Sequence, residues 1–399
     1  MTDRILRVGV AGLGRAFSLM VPTFTGDPRV RLVAAATQRE EARQKFERDF
    51  YGRAYATVAE LCADPNVDVV YIATPHQLHA EHACLAAAHG KHLLIEKPMA
   101  LSIDECRRMI SAARDAGVQL IVGHSHSFNA PILKTRELIA SGKFGKARMI
   151  QALNFTDFLY RPRRPEELKT EEGGGVIFSQ AAHQIDIVRL LGGGLVKSVR
   201  ASTGAWDPER PTEGAYSAFL AFEGGAFATA TYSGYAHFDS DELAGWIGEL
   251  GKAKDKSRYG AARKALKNAT SADEEAALKS ARNYGGSNYA AAGVPAPGPE
   301  PIFYQHFGFT LASCDHADLR PLPTGVMIYG DTEQRLEPLP EPAIPRSEVI
   351  DELYDAVVLG RPPVHSGEWS LATMEVCFAI LASAREQREI TLQHQIGAV

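Results

Sequence analysis

Short, almost purely apolar runs alternate with longer stretches of helical periodicity through roughly the first third of the chain. The runs Ile5–Ala11, Leu32–Ala36, Val67–Ile72, His92–Ile95 and Leu120–Val122 are rich in β-branched residues, as expected of strands buried on both faces of a parallel sheet. Between them, Glu40–Phe50, His79–His89 and Ile103–Ala116 are long enough for helices, with Ser102 as an N-cap and Gly117 as a closing glycine. This alternation predicts a doubly wound α/β sheet of the Rossmann type. Further along, two-residue alternation marks strands at Ala147–Phe155, Lys197–Ala205, Tyr216–Phe222 and Ala226–Tyr232, with a hairpin turn at Glu223-Gly224-Gly225. A helix is predicted from about Val176 to Leu191, and two more at Glu348–Leu359 and Ser370–Gln387.

The first strand runs into Gly12-Leu13-Gly14-Arg15-Ala16-Phe17. Gly12 permits a tight turn, and Gly14 lets the backbone approach a pyrophosphate at the start of the next helix. Phe17 stands where the third glycine of a dinucleotide fingerprint belongs. The second strand ends Ala36-Thr37-Gln38-Arg39, without the carboxylate that holds the ribose hydroxyls of NAD. Arg39 could pair with a 2′-phosphate, an attraction on the order of 4 kcal/mol at about 4 Å and an effective dielectric near 20, before desolvation. Alternatively, Arg39 simply begins a solvated helix. NAD and NADP both stay open, with NADP at least tolerated.

At 399 residues the chain has room for two domains, expected at 1–128 (dinucleotide-binding) and 129–399 (substrate-binding and oligomerising). A net charge of −5 argues against binding nucleic-acid backbones. The absence of an export leader or a membrane-length apolar run leads to an expectation of a cytoplasmic protein with no membrane partner. The five cysteines are scattered and never spaced as CxxC, which suits a reducing compartment and no disulfide framework. His76, His79 and His82 recur every three residues, but no cysteine or carboxylate pattern completes a metal site, so none is expected.

Two stretches narrow the reading. Thr74-Pro75 through His79 leads on to Ile95-Glu96-Lys97-Pro98, and Gly173-Gly174-Gly175 precedes His183 and Asp186. Together they resemble the glucose–fructose oxidoreductase/inositol dehydrogenase (Gfo/Idh/MocA) family over nearly the whole chain. Within it, Gly12 through Phe24, Gly123-His124-Ser125-His126-Ser127-Phe128, His183 through Arg189, Gly245-Trp246-Ile247-Gly248-Glu249 and Ser313-Cys314-Asp315 are similar to the phthalate 4,5-cis-dihydrodiol dehydrogenase branch. The resemblance implies a C-terminal α+β domain with a large, open-faced, mostly antiparallel sheet, a homodimer or homotetramer, and NAD- or NADP-dependent dehydrogenation. It also implies cofactor contacts from the Gly12–Phe17 turn, Thr37, Arg39, Thr74, Pro75, His79, Glu96 and Lys97.

Oxidising a carbinol requires a group to remove the hydroxyl proton as hydride leaves carbon. Lys97, at the carboxyl end of a strand, and His183, on the helix after the glycine run, are the expected catalytic pair. Ser179, His183 and Asp186 should share one helix face. In sugar-oxidising relatives an Asp matches Ser179; a serine can position a hydroxyl but carries no charge. The resemblance to the phthalate dihydrodiol branch, with Ser179 in place of that Asp, implies a cis-dihydrodiol of an aromatic dicarboxylate, oxidised to the catechol, as the substrate in aromatic degradation. Arg161, Arg163 and Arg164 are candidates for its carboxylates, although a solvated basic loop reads equally well. His124 and His126 are further pocket candidates, with His237 and Trp246 weaker ones. Sugar or inositol oxidation by the same scaffold is one alternative, and a non-catalytic dinucleotide-binding regulator another. The stretch from about 240 to 300 reads as an insertion: a charged, helix-like Lys252–Asn283, then a Gly/Ala/Pro-rich loop at Gly285–Pro301.

Overall fold

The computed structural model describes residues 4–269, 271–289 and 303–398, and the described residues fall into two compact units. Most of the Gly285–Pro301 loop lies outside them.

The first unit holds a six-stranded sheet. Its strands are β1 (Leu6–Ala11), β2 (Val30–Ala36), β3 (Arg53–Tyr55), β4 (Val69–Ile72), β5 (His92–Ile95) and β6 (Leu120–Val122). They run in the order β3-β2-β1-β4-β5-β6, and every pairing is parallel. Leu6, Val8 and Val10 of β1, with Val69–Ile72 of β4, have no exposed surface, because helices cover both faces. Those helices are α1 (Arg15–Gly26), α2 (Glu40–Phe50), α3 (Val58–Ala63), α4 (His79–Ala88) and α5 (Ile103–Asp115). Ser102 caps α5 by accepting from Glu105 N at 3.2 Å, and Gly117 follows it at φ 65°.

The unit is not one continuous segment. It takes in residues 277–289 and Ile344–Leu371 besides the chain up to His124, whereas a single cut after 128 was expected. The reason lies in specific bonds. Thr23 Oγ1 donates to Pro345 O at 2.6 Å, and Arg29 pairs with Asp351 at 2.6 Å. Val122 N donates to His365 O at 3.0 Å, and Ile121 bridges Ser366, so the segment returns along the β6 edge.

The second unit begins at Ser125. Helix α6 (Ala130–Ala140) precedes β7 (Ala147–Phe155), α7 (Ala182–Leu191), β8 (Val196–Gly204), β9 (Ala215–Phe222) and β10 (Phe227–Ser233). Strands β11 (Phe309–Cys314), β12 (Ala317–Leu322), β13 (Gly325–Gly330) and β14 (Gln334–Pro338) add a meander, and β15 (Ile390–Thr391) closes the other edge. The nine strands are antiparallel except where β7 pairs with β10. One face is covered and the other open: in β9, Tyr216 and Leu220 are buried while Phe219 is 46% exposed. Every residue of α7 is buried. Gln184 fixes that helix to the sheet, donating to Thr231 O at 3.2 Å and accepting from Tyr216 Oη at 2.6 Å.

The insertion forms two short helices, Ala261–Leu266 and Ala272–Ser280, rather than one long one. No helix among the described residues is long and apolar enough to cross a membrane.

Candidate active site

In the first unit, the glycine turn fits a dinucleotide. Gly12 has φ 96°, and a Cβ there would lie 2.7 Å from Ala73 O, so only glycine lets the turn pass β4. Gly14 is the N-cap of α1 and gives that helix no side-chain cap, leaving its first N–H groups for an anion. A Cβ at Gly14 would meet nothing closer than 4.0 Å, consistent with open space in front of the helix. Beside it, Arg15 Nη1 is buried without a hydrogen-bond partner among the described residues. Burial, with Arg282 and Arg346 nearby, lowers that guanidinium to about 10, an environment suited to a pyrophosphate.

Two expectations about this turn change. Phe17 has no exposed surface; its ring packs on Phe46, Phe50 and Tyr284 at 5.2–6.3 Å between centroids. The missing third glycine is thus filled by a core side chain, which takes Phe17 off the cofactor surface. Arg39 does not stand ready for a 2′-phosphate. It donates to Leu13 O at 2.6 Å and to Tyr284 O at 3.3 Å, tying the glycine turn to the segment after the insertion helices. Thr37 O accepts from Arg43 Nη1 at 2.8 Å, and Thr37 Oγ1 accepts from Arg39 N at 3.4 Å.

The tips of β4 and β5 carry the remaining first-unit candidates. His79, wholly buried, bridges Thr74 O and Pro98 O at 2.9 Å each. It clamps the turn at Thr74-Pro75 to the one at Lys97-Pro98. Burial lowers its pKa against the pull of those carbonyls. Thr74 Oγ1 bonds His82 Nδ1 at 3.0 Å, and the His76 ring lies 5.7 Å from that of His79. No cluster of metal-ligating side chains occurs among the described residues. Glu96 is buried and accepts from Tyr71 Oη at 2.5 Å. Burial raises its pKa despite the Tyr71 bond and the charges of Lys97 and Arg346. Lys97 itself is half-buried. His124 is buried, and its backbone bonds to the Glu96 carboxylate.

In the second unit, three rings gather with that of His183. Its ring lies 4.8 Å from His126 and 5.1 Å from Phe307, and Tyr232 stacks on Phe307 at 6.0 Å. The orientation of His126 has visible causes. Asn129 Nδ2 donates to His126 Nδ1 at 3.0 Å and to Gln305 O at 2.8 Å, which turns the Nε2 hydrogen toward Glu249 Oε1, 3.4 Å away. Burial alone would push the Glu249 carboxyl up. The bond and charge of His126, with Arg161 and His306, instead bring it down to about 2. Glu249 is therefore a fixed anion that orients His126, too weak a base to take a proton near neutrality.

Ser179, His183 and Asp186 do not lie on a regular α-helix. Ile177–Ala181 forms a π turn before α7 begins, which alters the winding between Ser179 and His183. Ser179 is half-buried. Asp186 accepts from Ser127 and from Thr373 Oγ1, the latter at 2.7 Å, and so anchors the helix beside the His126 turn. The three arginines divide. Arg161 pairs with Asp157 at 3.0 Å and lies 3.9 Å from Glu249; Arg164 pairs with Glu166 at 2.9 Å; Arg163 stacks on Phe158 at 3.6 Å. His237 is exposed, and Trp246 lies under Lys256 at 5.2 Å.

The oxidoreductase family model with an NAD-binding Rossmann fold, GFO_IDH_MocA, matches residues 6–124, and the GFO/IDH/MocA C-terminal domain model matches 132–254. The chain is 47% identical over 383 residues, 96% of each protein, to the 1-carboxy-3-chloro-3,4-dihydroxycyclohexa-1,5-diene dehydrogenase of Comamonas testosteroni. The chain belongs to the Gfo/Idh/MocA family. A crystal structure from Bordetella bronchiseptica RB50 shares 41% identity and a TM-score of 0.91, covering 97% of this chain and all of that one. The 1,5-anhydro-D-fructose reductase of Ensifer adhaerens is 34% identical over 190 residues, 46% of this chain and 55% of that protein.

This Gfo/Idh/MocA member is accordingly an NAD(P)-dependent dehydrogenase with the Rossmann and antiparallel-sheet architecture that the sequence resemblance implies. Several site residues carried no sequence signal. Tyr71 and Arg346 reach Glu96 only through the fold, and Phe307 lies more than a hundred residues from His183. Glu249 sat inside a segment matched to the family branch, yet nothing local indicated that it would meet His126.

Proposed function

We propose that this dehydrogenase oxidises a cis-dihydrodiol of a carboxylated aromatic ring to the corresponding catechol. The supporting observation is the ring of flat side chains around His183: His126, Phe307 and Tyr232, with arginines beyond. Such a surface suits a planar cyclohexadiene better than a polyol, whose hydroxyls demand hydrogen-bonding side chains on every edge. The printed substrate of the Comamonas relative, a carboxylated dihydroxycyclohexadiene, supports the same class. The phthalate 4,5-cis-dihydrodiol, giving 4,5-dihydroxyphthalate, is the dicarboxylate member of that class.

The oxidation balances simply. One carbinol carbon loses hydride and its oxygen loses a proton; the resulting hydroxy-enone tautomerises to the catechol. Bound NAD supplies the hydride acceptor. Lys97 and His183 serve the hydroxyl proton, and Ser179 positions a hydroxyl. Tyr71, through Glu96, holds the carboxylate beside Lys97 fixed in a dry environment. Aromatisation of the product makes the reaction favourable, so modest acid–base assistance suffices. NAD is preferred over NADP, since Arg39, the candidate partner for a 2′-phosphate after β2, is committed to backbone carbonyls.

Initial rates of NAD reduction with cis-dihydrodiols of benzoate and phthalate, against inositol and anhydro-sugars, test the reading. Turnover of the diols supports it; turnover of the polyols alone overturns it.

A further inference from the structure

The three arginines near Phe158 differ in one respect that bears on the substrate. Arg164 faces Glu166 at 2.9 Å and Glu167 at 3.7 Å. Arg161 is held between Asp157 at 3.0 Å and Glu249 at 3.9 Å. Both cations are thus neutralised within the protein. Arg163 forms no ion pair among the described residues. Its guanidinium lies 3.6 Å over the Phe158 ring, Nη2 donates to Phe158 O at 2.7 Å, and Nε, out of water, has no hydrogen-bond partner among those residues. The one nearby carboxylate that touches Arg163 takes only its backbone N–H: Glu275 accepts that bond at 2.6 Å and spends its charge on Arg210 at 2.8 Å.

We propose that Arg163 is the receptor for a single carboxylate on the substrate, and that the enzyme selects monocarboxylated over dicarboxylated dihydrodiols. The ring part of this inference rests on the function proposed above; the anion part rests on Arg163 alone. An aromatic path joins the two. Phe158 meets Tyr232 edge-on at 6.5 Å, Tyr232 stacks on Phe307 at 6.0 Å, and Phe307 touches His183 at 5.1 Å. A flat ring lying along this path would place a carboxylate toward the guanidinium and the reacting carbinol toward the imidazole. Planar guanidinium N–H groups bind carboxylates with directionality that lysine cannot reproduce. Burial, with Arg161 and Arg210 nearby, lowers Arg163 to about 10 although the Glu167 carboxylate pulls the other way. A second carboxylate would find Arg161 already taken and would face Asp157 and Glu249, where like charges repel.

The test compares the cis-3,4-dihydrodiol of benzoate, the cis-4,5-dihydrodiol of phthalate and the cis-dihydrodiol of benzene as substrates for the wild-type enzyme, Arg163→Met and Arg163→Lys. The expected result is a kcat/KM for the benzoate diol at least about tenfold above either of the others. In Arg163→Met the ratio of benzoate diol to benzene diol should fall by roughly 10- to 100-fold, the loss of one charge-assisted hydrogen bond, with Arg163→Lys in between. Binding of 3,4-dihydroxybenzoate and of catechol, measured by calorimetry, gives a readout independent of turnover. Equal losses on all substrates in both variants, or equal affinity of wild type and Arg163→Met for 3,4-dihydroxybenzoate, would overturn the assignment. Preference of the wild type for the phthalate diol would overturn the single-carboxylate claim. If no diol turns over but 3,4-dihydroxybenzoate outbinds catechol only when Arg163 is present, the anion subsite stands and the dihydrodiol reading fails.

Discussion

Replacing Glu249 by Gln should change how the protein responds to acid. The carboxyl is held at about 2, against 4.5 for an ordinary glutamate, chiefly because His126 and Arg161 overcome the cost of burial. Its side chain is 27% exposed, so water screens these contacts only in part. A shift of this size corresponds to about 3 kcal/mol at roughly 1.4 kcal/mol per unit. The folded pKa lies below the unfolded one, so the stabilisation is complete above about pH 4.5 and is lost as pH falls toward 2. At pH 3 roughly 2 of those 3 kcal/mol are gone. Urea unfolding of wild type and Glu249→Gln at pH 7 and pH 3, followed by tryptophan fluorescence, gives the comparison. The gap between the two proteins should narrow by about 2 kcal/mol on acidification. A gap that stays constant would mean that the His126–Glu249 pair carries no net charge interaction, and the orientation argued for His126 would fall with it.

Gly12→Ala must move the turn, since its Cβ would sit 2.7 Å from Ala73 O at a φ of 96°. A cost of about 1–3 kcal/mol and loss of NADH binding are expected, read by thermal unfolding and nicotinamide fluorescence; unchanged affinity would show that the turn does not hold the cofactor. Arg39→Ala should weaken NADH binding by roughly fivefold, the worth of about 1 kcal/mol for the bonds to Leu13 and Tyr284, without a selective effect on NADPH. Loss confined to NADPH in a parallel titration would return Arg39 to the role of a 2′-phosphate ligand.

Local pattern made most of the first sheet legible. Leu120–Val122 begins and ends where its apolar run does, and Leu93, Leu94 and Ile95 form a fully buried run after the half-buried His92, because strands covered on both faces are nearly all apolar. The three-residue β3 offers too little period to detect, whereas the capping box of α3, Thr57 with Glu60, is a local signal of a helix start. The meander β11–β14 escaped for a similar reason: short alternating runs broken by Pro321 and Gly325 resemble loops. The π turn before α7 has no sequence signature, so the predicted common face of Ser179, His183 and Asp186 assumed a regular helix that the chain does not form. Partners far along the chain were least visible. Arg39 looked like a phosphate ligand because Tyr284, its acceptor, is 245 residues away. Arg161 looked available for substrate because nothing near it in sequence pointed to Glu249. Charged side chains are assigned most safely once their counter-ions are known.

The proposed reaction requires Lys97 and His183 to serve one proton on one substrate. A double-mutant cycle in kcat for the benzoate dihydrodiol, with Lys97→Met, His183→Ala and the pair, addresses that directly. Each single change should lower kcat by about 10²–10⁴, and the double variant should fall no more than roughly tenfold below the poorer single, as residues acting as a unit do. Losses that multiply in full would show that the lysine and the histidine act independently, contrary to the mechanism given.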